Sequence, residues 1–187
     1  MQVYVETTPI VSDKTKSRAW TALQVVMGSL FLAACSQITI PLYPVPLTMQ
    51  TLGIFILAMM QGGNRALGST LLYLGLACLG LPVLAEGTRQ AFWWLLPSAG
   101  YLVAFPIAAY VSGKMIEWRA RPRLWWVLLS HFTGLCIIYT LGVLGLMRIL
   151  SFEQSLMVGV VPFLPSAALK LIMASSLNGL FLRWKQR

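Results

Sequence analysis

The 187-residue chain is 58% hydrophobic and only 10% charged, with a mean hydropathy of +0.76, which excludes an ordinary soluble domain and reads as a polytopic membrane protein. Its net charge of +9 does not call for nucleic acid as a partner, because the basic residues stand in short clusters at the ends of apolar runs rather than on one face. The three cysteines, Cys35, Cys78 and Cys136, lie singly within apolar runs, a spacing that suits neither a metal site nor a disulfide framework and leaves them as reduced packing residues.

A membrane crossing needs roughly 20 apolar residues for about 30 Å of hydrocarbon. In chain order, residues 1–19 form a basic N-terminal segment carrying Lys14, Lys16 and Arg18, and apolar runs follow at 20–38, 47–60, 67–83, 92–113, 124–147 and 157–182. The predicted fold is therefore all-α, with six transmembrane helices over residues 20–182 and a short tail at 183–187. The second run is short enough that it must thin the bilayer or sit inside the bundle. In the sixth, Pro162 and Pro165 predict an irregular entry and a helix from about Pro165.

Orientation follows from charge. Eleven of the fourteen basic residues fall in the N-terminal segment, beside Arg65, in the Lys114, Arg119, Arg121 and Arg123 cluster, or at Arg183, Lys185 and Arg187. All of these lie on one side of the predicted membrane, which the positive-inside rule makes cytoplasmic, together with both termini. The opposite connections carry only Arg89 and Arg148 and are apolar and proline-rich. They are expected to fold back over an outward cavity, with Trp93 and Trp94 at the interface.

Lys170 is the residue that composition does not explain. It is a single ammonium in an otherwise uncharged run, 157–182, where insertion scales charge several kcal/mol for a cation without a partner, cavity or substrate. Five residues after Pro165, it lies roughly 7 Å from the expected helix start. Together with the free amides of Ser166, Ala167 and Ala168 it suits a carboxylate. The alternative is that Lys170 snorkels or pairs with Glu86 or Glu153.

Other features read as packing. Cys35 ends a stretch shaped like a lipoprotein cleavage site, but five further apolar runs follow it. His131 has no partner for catalysis and is expected to be a hydrogen-bonded packing histidine. Ala109 with Gly113, and Ser29 with Ala33, have small-xxx-small spacing for close helix approach. No Walker-type motif, HExxH motif or intramembrane acid pair occurs.

Four segments carry a family resemblance: SQITIPLYPVPLTMQTLG at 36–53, GLPVL at 80–84, LPSAGY at 96–101 and PFLPSAALK at 162–170. In order and spacing they resemble the BioY family, the biotin-specific substrate-binding S components of energy-coupling factor (ECF) transporters. The resemblance implies an S-component fold with cytoplasmic termini in a bacterial inner membrane. It also implies no enzymatic activity and no cofactor, with biotin as ligand and a transmembrane coupling protein and two ATPases as partners. By position it implies that Lys170, Tyr101, Gln50 and Thr88 bind substrate. The ammonium suits the valerate carboxylate, amide and hydroxyl groups suit the ureido ring, and an aromatic face suits the thiophane. The chain departs from the family at LPSAGY, where the pattern is GPTGGY, and at Ala167, where the family has aspartate. It departs again in the first run, where Ala22 is followed by Val26 rather than by a second small residue. Another small carboxylate-bearing metabolite is the alternative ligand.

Overall fold

The computed structural model describes residues 13–119 and 122–185, with side chains for 18–119 and 122–177. Arg121, Arg187 and residues 1–12 of the basic N-terminal segment lie outside the described residues. The described chain forms α1 (Asp13–Gln37), a small hairpin of β1 (Thr39–Ile40) and β2 (Leu47–Thr48), then α2 (Gln50–Gln61), α3 (Gly63–Cys78), α4 (Ala99–Glu117), α5 (Leu124–Leu146), α6 (Phe152–Gly159) and α7 (Leu164–Lys185). By length and composition four stretches suffice to cross a membrane: Arg18–Gln37, Ala99–Glu117, Leu124–Leu146 and Phe152–Leu177. The protein is an integral membrane protein built mostly of helix.

Each apolar run of the sequence contains a helix, with shifted bounds. The fourth run begins seven residues early, because residues 92–98 are not yet helix: Trp93–Leu95 is a single 3-10 turn and Ser98 is the N-cap of α4. Trp93 corrects the interfacial expectation. It is turned into the core, and its indole Nε1 donates to Cys78 Sγ at 3.1 Å, whereas Trp94 stays exposed.

The short second helix is tolerated because it lies inside the bundle. Seven of the twelve residues of α2 are buried, among them Gln50, Ile54, Phe55 and Leu57, so it meets protein where a peripheral helix would meet lipid. It turns directly into α3 at Gly62, whose φ of 74° lies in the left-handed region that glycine adopts without strain. The carboxylate of Glu117 on α4, held by Lys114 at 3.0 Å, accepts from the amide of Gly63 at 3.0 Å and satisfies the start of α3. The spacing of Ala109 and Gly113 has its expected use here, since a Cβ on Gly113 would run into the backbone of Gly63. Its absence lets α4 and α3 meet closely.

The sixth run is divided. Ser151 caps α6 through a reciprocal capping box with Gln154, α6 stops at Gly159, and a 3-10 turn, Val161–Phe163, leads into α7 with Pro165 in its first turn. The irregular entry expected from Pro162 is thus a short helix plus a turn. His131 packs as expected. It is fully buried, with Nδ1 3.2 Å from Ser175 Oγ and its ring stacked on Phe55 at 4.8 Å.

Of the three cysteines, Cys35 is half-buried while Cys78 and Cys136 face outward, and all are free thiols. Cys136 therefore does not pack in the core, while Cys78, though exposed, lies against the buried Trp93 indole.

Candidate ligand-binding site

One end of the bundle holds a cavity of about 270 Å³, slightly below the roughly 300–1,000 Å³ of most small-ligand sites. Its walls are the first two turns of α4 and α7, the first turn of α2 and, about two turns before its end, α5 at Ile138 and Tyr139. Its roof is made of the loops at 41–46 and 84–88. The roof is apolar chain folded back on the bundle, as the sequence suggested: Val45 and Leu84 are buried. Proline at 41, 44 and 46 removes amide donors from a loop that forms only the two-residue hairpin pairing Thr39 with Thr48. The second loop is tied to the end of α1. Ser36 Oγ donates to Val83 O at 2.6 Å and Gln37 Nε2 to Leu84 O at 3.1 Å.

All four residues implied by the resemblance line this cavity, but they are not equivalent. Lys170 is only 6% exposed, and its Nζ donates to the backbone oxygen of Thr48 at 2.6 Å. Among the described residues the ion pair recorded is Lys114–Glu117, so Lys170 pairs with neither Glu86 nor Glu153. An ammonium has three donors, and the neutral Thr48 carbonyl leaves its charge uncompensated. It stands six residues into α7, roughly 9 Å along the axis.

Gln50 is also buried and is largely committed to the protein. Its Nε2 donates to the Tyr73 hydroxyl at 2.7 Å, and its Oε1 accepts from Thr48 Oγ1 at 2.9 Å. A continuous chain of hydrogen bonds therefore runs from Lys170 through Thr48 and Gln50 to Tyr73, linking α7, the hairpin, α2 and α3. Sequence reasoning missed Thr48 and Tyr73. Thr48 was within reach, because it sits in the VPLTMQ stretch two residues before Gln50. Tyr73 had no local signal.

Tyr101 offers its ring and not its hydroxyl. The OH donates to Gly159 O at 2.7 Å, closing the end of α6, and the ring lies near parallel to Phe163 at 6.4 Å. A Cβ on Gly142 of α5 would strike that ring, so glycine there makes the room for it. Thr88 is exposed at the rim, where its amide donates to Ala85 O at 3.1 Å and its side chain makes no hydrogen bond among the described residues. Beside it, Glu86 adopts a left-handed backbone at φ 58°, a conformation that costs a non-glycine residue of order 1 kcal/mol or more and often marks a functional loop. Ser166 lines the cavity too, and Tyr139, Thr51 and Ser98 complete the polar lining. These last three escaped sequence reading because each is an ordinary hydroxyl within an apolar run.

Such an arrangement can bind a small amphipathic acid: apolar walls and aromatic faces around it, and one buried cation within. Fold and cavity together define a helical membrane protein with a small-ligand site at one end of its bundle. The model of the BioY family matches residues 10–186, and the chain belongs to that family. It is 33% identical over 165 residues to the probable biotin transporter BioY of Pyrococcus horikoshii, covering 84% of this chain and 98% of that protein. It is 33% identical over 156 residues to the biotin transporter BioY of Thermotoga maritima, covering 81% and 91%. The fold is shared with a crystal structure of the S-component for biotin from an ECF-type ABC transporter, at a TM-score of 0.79, 23% identity and 95% coverage of both chains.

Proposed function

We propose that the chain is a biotin uptake component, a membrane-embedded subunit that captures biotin at the outer face and delivers it to the cytoplasm without chemistry on the substrate. The observation that carries this reading is the convergence of Lys170, Tyr101, Gln50 and Thr88 on one cavity in a chain of the BioY family. Lys170 takes the valerate carboxylate, Tyr101 and its apolar neighbours take the thiophane, and polar groups on the walls take the ureido ring. ATP hydrolysis belongs to partners, a transmembrane coupling protein with two ATPases, in keeping with relatives described as biotin transporters and with a structural neighbour from an ECF-type system.

The topology that goes with this function is six crossings in a cell membrane, residues 1–19 and 183–187 cytoplasmic and the membrane domain at 20–182. The distribution of eleven basic residues on one side supports it. It places the cavity at the outer ends of α2, α4, α5 and α7, where an external ligand enters. A second reading, another small carboxylate-bearing metabolite, is favoured by Ala167, which brings only a methyl group to the wall beside Lys170.

Uptake of labelled biotin tests the reading. Cells that lack their own biotin transport should accumulate the label when they express this chain with an ECF coupling module. A K170M chain should accumulate much less. Label that enters at the background rate with the unsubstituted chain contradicts the function.

A further inference from the structure

We propose that Tyr139 is a ligand-contacting, specificity-determining residue whose hydroxyl hydrogen-bonds the ureido ring of the substrate. The inference rests on the reading of the cavity as a biotin site and adds a group to it that neither sequence nor comparison assigns. The hydroxyls around the cavity divide into spent and free. Thr48, Tyr101 and Ser166 all donate within the protein, to Gln50 Oε1, Gly159 O and Phe163 O. Tyr139 lines the same cavity, is half-buried against the main core cluster, and its hydroxyl makes no hydrogen bond among the described residues. A phenol drawn out of bulk water ordinarily finds a partner, because leaving one unmade is costly. The cavity borders this residue, so the ligand supplies the partner.

Depth separates Tyr139 from the other free hydroxyls. Ser98 is the cap of α4 and Thr51 the second residue of α2, both at the outer ends of their helices. Tyr139 stands seven residues before the end of α5, roughly 10 Å along its axis, and Lys170 roughly 9 Å into α7; α5 and α7 pack against each other. Phenol and ammonium therefore form the polar part of the deep wall, while Ala167, one turn from Lys170, adds no polar atom. A cyclic urea meets a phenol well, since its carbonyl oxygen accepts from the O–H and its N–H groups donate to the phenol oxygen. A ligand of similar shape without such a ring leaves the phenol unpaired, which is how a hydrogen-bonding site rejects a near-isostere.

The test is Y139F, which keeps the ring and removes the hydroxyl, in the full chain purified in detergent. Dissociation constants are measured for biotin and for biotinamide, alongside the melting temperature of the ligand-free protein. Loss of one neutral hydrogen bond predicts affinity weaker by roughly five- to tenfold for both ligands. The melting temperature should stay unchanged, because the hydroxyl bonds to nothing among the described residues. Unchanged affinities overturn the proposal, as does an affinity loss accompanied by a fall in melting temperature, which would make Tyr139 a packing residue. A loss confined to the acid would assign Tyr139 to the carboxylate and overturn the ring contact. No binding of biotin to the unsubstituted protein would overturn the biotin reading itself, and this assignment with it.

Discussion

Lys170 is buried with a backbone carbonyl at 2.6 Å and a cavity beside it. Exchanging it for methionine keeps length and apolar body while removing a charge that no carboxylate offsets, so the ligand-free protein should assemble as well or better. Biotin binding should weaken by roughly 1.5–3 kcal/mol, the range for a charged hydrogen bond. Biotinamide should lose little, and comparing acid and amide on both proteins isolates the pair. Equal losses would mean that the ammonium serves the fold or the ring end of the ligand.

Tyr101 gives the contrasting case. Removing its hydroxyl in Y101F breaks the bond to Gly159 O and should cost about 1 kcal/mol of stability, read as a lower melting temperature, with little change in biotin affinity. A large affinity loss at constant stability would return the hydroxyl to the ligand. Lys170 was legible from sequence as an unusual position because a charge in an apolar run stands out. That Tyr101 and Gln50 spend their polar atoms on Gly159 and Tyr73 was not, since those partners are 58 and 23 residues away.

Among the elements, the long apolar runs were readable as helices, and the prolines of the sixth run correctly signalled an irregular start for α7. The bounds near the cavity were not readable. Residues 92–98 are as apolar as a helix, yet they turn, because Trp93 finds its place in the core against Cys78. The loop at 84–88 is held as a roof by the end of α1. Ser36 is fully buried, and S36A should leave Val83 O without that donor. The roof then loosens, and biotin should dissociate roughly three- to tenfold faster in a chase experiment, the effect of one ordinary hydrogen bond. An unchanged off-rate would show that the roof does not gate the site.

For the whole molecule, composition sufficed to define a membrane protein, since that follows from bulk solvation physics, and the basic clusters set the expected orientation. A reporter fused to the C-terminus should lie in the cytoplasm, on the side of Arg183, Lys185 and Arg187. An external reporter would overturn the six-crossing topology. The cavity itself was out of reach of any periodicity. It arises from a short buried α2, a glycine at 142 opposite Tyr101 and loops folded over their ends, all of which are relations between distant segments.

The most direct test of the account is equilibrium binding of radiolabelled biotin to the purified chain in detergent, with no nucleotide, metal or partner protein added. The cavity, with its buried ammonium, predicts saturable binding at one site per chain that unlabelled biotin displaces. Absence of saturable binding, or binding that appears only with ATP, would contradict it.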